Sequence, residues 1–464
     1  SGLRRKNMLD KNIVNDVLMA ALSHGGDFAE VFAEDRFDSS IGMIEGKVER
    51  SSAGRTAGVG IRIFNGFNSV YTYTNDMDRE ALINLAISAS KSLRAVPQEL
   101  KIDFVIEEAA VNHPVIVLPQ SVSKSHKAEL MRRAHQAASE YDPSISQVKV
   151  NYLDFTQNVL IANSEGRFVT DQRTRTRFVI NAVAEGNGQL EQGFIGKGSG
   201  KGFDLYGEIK VEDMAREAAR IAVTMTGAGA APSGRFPVVI DNKFGGVIFH
   251  EACGHGLEAT SVAKNNSVFA GKLGEKIASE AVTAVDDGTV LSEWGSSSYD
   301  DEGMQTSRNV LIENGILKNY MVDKLNGRRM NMTPTGSARR ESYKYAPTSR
   351  MTNTYILNGN SRFEDMIASM DNGIYAKYLG GGSVNPATGE FNFATQEAYL
   401  VKNGKIGAPI KGATLIGTGL EILNRIEMVS NNFDSGEGMC GSVSGSIPAG
   451  LGQPAIKVSE ITVG

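Results

Sequence analysis

With 464 residues, 41% of them hydrophobic and 22% charged, the chain has the composition of an ordinary globular protein and room for roughly two to four domains. A formal charge of −5, from 48 Lys and Arg against 53 Asp and Glu, gives no basic field for a nucleic-acid backbone, and no run approaches the roughly 18 apolar residues of a membrane span. Two cysteines cannot form a disulfide framework and suit a reducing compartment, so the expectation is a cytoplasmic protein with no direct nucleic-acid or membrane partner.

The first residues, Ser1 to Asn7, contain no methionine and no apolar signal core, which suggests processing or truncation and is compatible with a removed targeting segment. Ile13, Val14, Val17, Leu18 and Leu22 recur at helical spacing and Gly25-Gly26 stops them, predicting a helix within 8–24. From Phe28 to Tyr73 the pattern alternates, with a hairpin signal at Asn65-Gly66, and a second amphipathic helix follows from Asp76 to Leu93. The pattern breaks between Pro97 and Pro119, with a short extended run at Val115 to Leu118. Glu129 to Tyr141 then reads as a helix, followed by strands near 147–154, 156–162 and 173–185. Within the last, Arg173-Thr174-Arg175-Thr176-Arg177 reads as a strand with one basic face, solvated in preference to meeting an anionic partner. Val211 to Met225 is helical, and the small residues from Thr226 to Gly234 read as a flexible joint.

Beyond the joint, Phe236 to Asp241 is a short strand and Phe244 to about Thr260 a helix; nearly everything later reads as β. Asn314-Gly315 and Asn403-Gly404 sit between alternating runs as hairpin turns, and Asp286-Asp287-Gly288 and Asn372-Gly373 are further turns. The glycines from Gly380 to Gly382 mark a bulge or a close backbone approach, since no helix follows to cradle a phosphate. The acidic stretch Ser298 to Gly303 lacks the alternating spacing of a calcium loop and reads as a turn. The fold class that follows is α+β. It divides into an amino-terminal helix and antiparallel-sheet subdomain (1–95), a central α+β subdomain (96–225), a linker (226–234) and a β-rich domain (235–464).

The chemistry concentrates in Val-Ile-Phe-His-Glu-Ala-Cys-Gly-His-Gly-Leu-Glu at 247–258, which holds two of the six histidines and one of the two cysteines. His250 and His255 are five apart, which on a regular α-helix turns them about 140° away from each other. A π-bulge would make five residues roughly one turn and bring both rings to one side, so the spacing predicts a distorted helix, with Gly254 and Gly256 easing the distortion. A catalytic zinc site takes three protein ligands and leaves one position open. The third is either Cys440, on a glycine-rich loop, or Cys253, three residues from His250; a disulfide between the two cysteines would exclude both. Glu251, beside the cluster without needing to bind metal, suits a general base, and Glu258 is placed to orient the His255 ring. The polar stretch Gly336 to Thr354, with Arg350 and Asn353, reads either as a grip on a peptide or as a surface crossover.

These segments resemble the TldD branch of the TldD/PmbA family: the 250–258 motif, Arg-Met-Thr-Asn-Thr at 350–354, the glycines at 380–382, 391–406, 411–419 and Gly-Met-Cys-Gly at 438–441, with Asp27 to Val31 and Gly58 to Ile63 near the start. Proteins of this family have been labelled modulators of DNA gyrase. The resemblance implies one zinc ion per chain on His250, His255 and Cys440, with Glu251 as the base. It also implies cleavage of unfolded or extended peptides by metal-activated water, in a homodimer or a heterodimer with a PmbA/TldE-type subunit. Substrate contacts are expected at Arg350, Asn353, Gly381 and Gly382. The rival reading is a non-catalytic partner or regulatory protein whose metal site is closed and structural.

Overall fold

Three of the longer helices start where the sequence supplies a cap. In the computed structural model, which describes residues 8–93, 101–385 and 387–464, Asp10, Asp78 and Ser123 accept backbone N–H bonds at the starts of helices Lys11–Leu22, Arg79–Lys91 and Lys124–Ser139. The readings of residues 1–7 and of the break at Pro97, and with it the boundary at 95/96, lie outside the described residues. Among the described residues no helix is long and apolar enough to cross a membrane.

Strands Phe28–Ile44 and Lys47–Asn65 form one long hairpin, turned by Glu45 and Gly46 at positive φ. Phe28–Ile44 also pairs with Ile145–Asn163, from Glu30 opposite Asn163 to Ile44 opposite Lys149, so the segments on either side of residue 95 share one seven-stranded sheet. Side chains alternate across a strand, and here both faces are used. Val31 and Ala33 lie under helices Lys11–Leu22 and Arg79–Lys91. Ile41 and Met43 lie under helices Lys124–Ser139 and Val211–Thr226. The opposite face, with Glu30, Phe32 and Glu34, turns to the carboxy-terminal half.

The arginine alternation belongs to that second face. Phe178, Ile180 and Ala182 pack under the helices, while Arg173 binds the Asp301 carboxylate at 2.6 Å and the Tyr299 carbonyl at 2.9 Å. Arg175 donates to the carbonyls of Trp294 and Ser296. This face is a buried seam and not the solvated one expected, because alternation reports a polar side without saying whether water or protein covers it. The acidic turn at 298–303 supplies its carboxylates: Glu302 holds Arg62 at 2.6 Å, and across the same seam Glu30 holds Arg340 at 2.7 Å.

In the carboxy-terminal half, strands Asn372–Asn385, Gly234–Ile240, Ile456–Val463, Thr414–Thr418 and Glu390–Lys402 pair in that order, and the last pairs back to the first, closing a ring. Val238, Ile240, Ile374, Phe391, Leu415 and Val458 lie in its core. The joint is held and not loose, since Gly229–Ala230 pairs with Ile410 and Lys411. The pairing register slips between Leu379 and Gly382, the expected bulge. Asn372-Gly373 opens a strand instead of a turn, and a Cβ on Gly373 would stand 2.7 Å from the Pro237 carbonyl oxygen. Helices Lys324–Met330, Phe363–Ala368 and Gly419–Arg425 interrupt the half expected to be nearly all β; each is too short to display a helical period. The whole is an α+β fold.

Candidate metal centre

The helix expected over 244–260 is a relay of short pieces. One α-turn, Val247–Phe249, passes into a π-turn over His250–Gly254, in which the His255 N–H returns to the His250 carbonyl. A 3₁₀ turn follows at His255–Leu257, and the backbone extends at Glu258 before Ala259–Val262. The π-turn is the widening that a five-residue spacing requires. The glycines serve it differently from expectation: Gly254 has ordinary helical angles, φ −57° and ψ −49°. A Cβ there would stand 2.2 Å from Met351 Sδ, and one on Gly256 would stand 2.7 Å from the Phe269 ring. Both are glycine because neighbouring side chains occupy the space, not because the backbone is strained.

The widened turn puts the two rings on one side, 5.2 Å apart and at 85° to each other. Cys440 arrives from far along the chain, on strand Glu437–Ser442 of a hairpin with Gly445–Gly450, not on the loop expected. Its Sγ lies 3.3 Å from His250 Nε2 and 3.4 Å from His255 Nε2, and all three ligand atoms fall within 4.8 Å of one another. With Zn–S of about 2.3 Å and Zn–N of about 2.0–2.1 Å, sulfur and nitrogen ligands of a tetrahedral ion stand roughly 3.6 Å apart. The trio therefore fits such an ion with little movement.

Burial alone would raise the Cys440 thiol, but the charges and hydrogen bonds of His250 and His255 outweigh it and bring it down to about 5. Burial likewise works against charge on Glu251, yet its hydrogen bond to His255 and the positive charge of both imidazoles hold it below the usual carboxylate range. Burial opposes a proton on His255 as well, and Glu258, Cys440 and Glu251 together raise it well above the ordinary imidazole value. A cation seated here would replace that proton, since ligands must be deprotonated to bind metal.

The carboxylate of Glu258 accepts from His255 Nδ1 at 3.2 Å, which leaves Nε2 free to face Cys440. Glu251 is only partly buried, its Oε2 3.4 Å from His255 Nε2. Cys253 is turned away, fully buried with its sulfur toward the Gly419 carbonyl at 3.9 Å, and burial pushes its thiol up. It forms no disulfide.

Arg350 and Asn353 are buried, and the hydrogen bonds they make are to groups inside the protein. Asn353 bonds Asp287 O and Ser296 Oγ, both at 2.7 Å, and accepts from Gly295 N–H. Arg350, fully buried, donates to Cys440 O at 2.5 Å, to Ser444 Oγ and to Gly445 O, and its Nε stands 3.9 Å from Glu258. Both side chains, the substrate contacts expected from the sequence, are turned to internal partners. Gly381 and Gly382 are exposed on the bulge. The role of Arg350 as the link between Glu258 and the Cys440 hairpin was missed, because a lone arginine in a polar loop carries no signal of what it folds against.

Arg350→Met is expected to remove a buried cation beside Glu258 together with its hydrogen bonds to the Cys440 hairpin, at about 3–5 kcal/mol of stability. Zinc affinity should fall about 10–100-fold, as for other losses of support behind a ligand. Urea unfolding and a competitive zinc titration measure the two. Unchanged values for both would remove Arg350 from the site.

Family models for the PmbA/TldA metallopeptidase domain 1, central domain and C-terminal domain match residues 29–93, 118–226 and 233–464. The chain is 38% identical over 473 residues to a metalloprotease TldD homolog of Buchnera aphidicola, covering 100% of this chain and 98% of that one. It is 30% identical to a protein of Saccharolobus solfataricus named zinc metalloprotease TldD homolog, over 76% of this chain and 79% of the other. Among solved structures, a Thermotoga maritima protein labelled a modulator of a DNA gyrase superposes with a TM-score of 0.80 at 22% identity, over 98% of this chain and 99% of that one. TldE from Thermococcus kodakarensis gives 0.77 at 19%, over 97% and 99%. At such identities the structures speak for the fold alone.

Proposed function

The chain belongs to the PmbA/TldD metallopeptidase family, and from that premise we propose that it is a zinc-dependent peptidase of the TldD type, acting on unfolded or extended peptides with Glu251 as general base. The observation that carries this reading is an incomplete coordination set. Three ligand atoms meet, the second thiol faces elsewhere, and a partly exposed glutamate stands beside them. Structural zinc sites are closed by four protein ligands, whereas catalytic ones keep a position open. The rival structural-metal reading, for example with Cys253 as fourth ligand, gains no support from the position of that thiol.

A zinc ion on His250, His255 and Cys440, one per chain, would polarise a peptide carbonyl and make water a nucleophile near neutral pH. Glu251, held ionised beside the imidazoles, accepts the proton that water gives up and returns it to the departing amine. Glu258 fixes the His255 ring by holding its Nδ1–H, and Cys440 contributes a thiolate charge. That charge offsets part of the metal's own, so slow turnover is expected.

The substrate is proposed to lie as an added strand. Strand Asn372–Asn385 pairs with Gly234–Ile240 only from Ile374 to Ala376, so beyond Leu379 it offers an unpaired edge at Gly381 and Gly382 among the described residues. Main-chain bonds there would hold many sequences alike. As partner we propose a PmbA/TldE-type subunit or a second copy of this chain, in keeping with membership of the family. The net acidic charge gives no support to direct nucleic-acid binding, and a cytoplasmic setting suits two free thiols. Chelation is expected to abolish cleavage of an unfolded peptide and one equivalent of zinc to restore it, read by mass spectrometry beside metal analysis. Undiminished cleavage by fully chelated protein would overturn the reading.

A further inference from the structure

On the seam between the two halves lies a cavity of about 450 Å³, within the usual size range of small-molecule sites. Met439 lines it, and neighbours on a strand point to opposite faces, so it sits behind the hairpin that presents Cys440 to the metal centre. Six cationic side chains border it: Arg36, Arg173, Arg175, Arg339, Arg340 and Lys344.

Their partners separate them into two groups. Arg36 is paired with Asp38, Arg173 with Asp301, and Arg340 with Glu30. The acids left on the wall are already occupied: Glu34 accepts from Gln157 Nε2 and Tyr343 N–H, Glu341 from Ser446 N–H, and Asp300 from the N–H groups of Glu302, Met304 and Ala338. Arg175 and Arg339 have no carboxylate at ion-pair distance among the described residues. Arg175 donates only to the carbonyls of Trp294, Thr174 and Ser296, and Arg339 only to that of Met351. They are 5% and 8% exposed. Burial, with repulsion from neighbouring arginines, draws Arg175 down to about 9; Arg339 is drawn down to about 10 by burial first, against the pull of Asp301. Two buried guanidiniums facing one cavity without a counter-charge are a costly arrangement.

The geometry points to an anion-binding site in this cavity, separate from the metal centre, that takes the carboxylate or phosphate group of a small molecule between Arg175 and Arg339. A guanidinium fork suits both anions. The apolar wall of Phe155, Met439, Ile447 and Pro448 would cover the rest of the molecule.

The single tryptophan, Trp294, reports on the site, because its carbonyl accepts from Arg175 Nε at 2.7 Å. The experiment titrates the full chain with inorganic phosphate and, separately, with acetate, at an ionic strength held constant with chloride, while following tryptophan fluorescence. A saturable change is expected with at least one anion, and the one saturating at lower concentration gives the class. The change should persist after chelation of metal. Arg339→Gln should weaken it about tenfold or more, the scale of one charged hydrogen bond. Should Arg339→Gln fail to fold, Lys344→Gln, at an exposed rim position, carries the comparison with a smaller weakening. No saturation by either anion, a response unchanged in the variants, or one abolished by chelation would overturn the proposal, the last by assigning the anion to the metal.

Discussion

Glu251→Gln is expected to keep its metal and lose peptide cleavage by about a hundredfold to ten-thousandfold, the usual contribution of a positioned general base. The amide preserves the shape but cannot accept a proton from water. Retention of metal is expected because the ligand atoms that converge are those of His250, His255 and Cys440, and Glu251 is not among them. The two measurements separate the roles. Loss of cleavage with metal lost as well would make Glu251 a ligand, and cleavage surviving with metal in place would move the base elsewhere.

Cys440→Ala is expected to abolish stoichiometric zinc binding, and cleavage with it, whereas Cys253→Ala keeps both. The contrast rests on environment. Cys440 is brought to a low thiol value by two imidazoles at 3.3 and 3.4 Å. Cys253, in a wholly apolar setting against Gly419, is pushed the other way and is a core side chain. Its loss costs packing: deleting a buried group of this size destabilises a core by about 1–3 kcal/mol without touching the metal. Metal analysis of the two variants, with wild type beside them, decides the matter. Full zinc content in Cys440→Ala would require a different third ligand.

The same pair of cysteines shows where sequence reading stops. Both thiols are soft ligands, and spacing along the chain, with Cys253 three residues from His250, does not point to Cys440; only the family resemblance did. The choice is made by the π-turn, which rotates the following residue, and by a hairpin 190 positions from His250 that must dock before its sulfur is near anything. Arg350 is the clasp of that docking, through Cys440 O on one side and Glu258 on the other. The arginines at 173, 175 and 177 make the parallel case for the seam. Their alternation located a strand and a polar face, but the carboxylates and carbonyls that cover it come from residues 294–301.

By itself the sequence determined what is local and periodic: the amphipathic helices, the alternating strands, the bulge at the glycines, the α+β class, and a five-residue histidine spacing that only a widened turn can satisfy. These follow from side-chain directions repeating along one segment. The tertiary structure decided how Cys440 is brought to the histidines while Cys253 is turned away, what backs them, and that the polar face of the amino-terminal sheet is buried against the other half. Those depend on contacts between residues far apart in the chain, where neither spacing nor composition carries a distance.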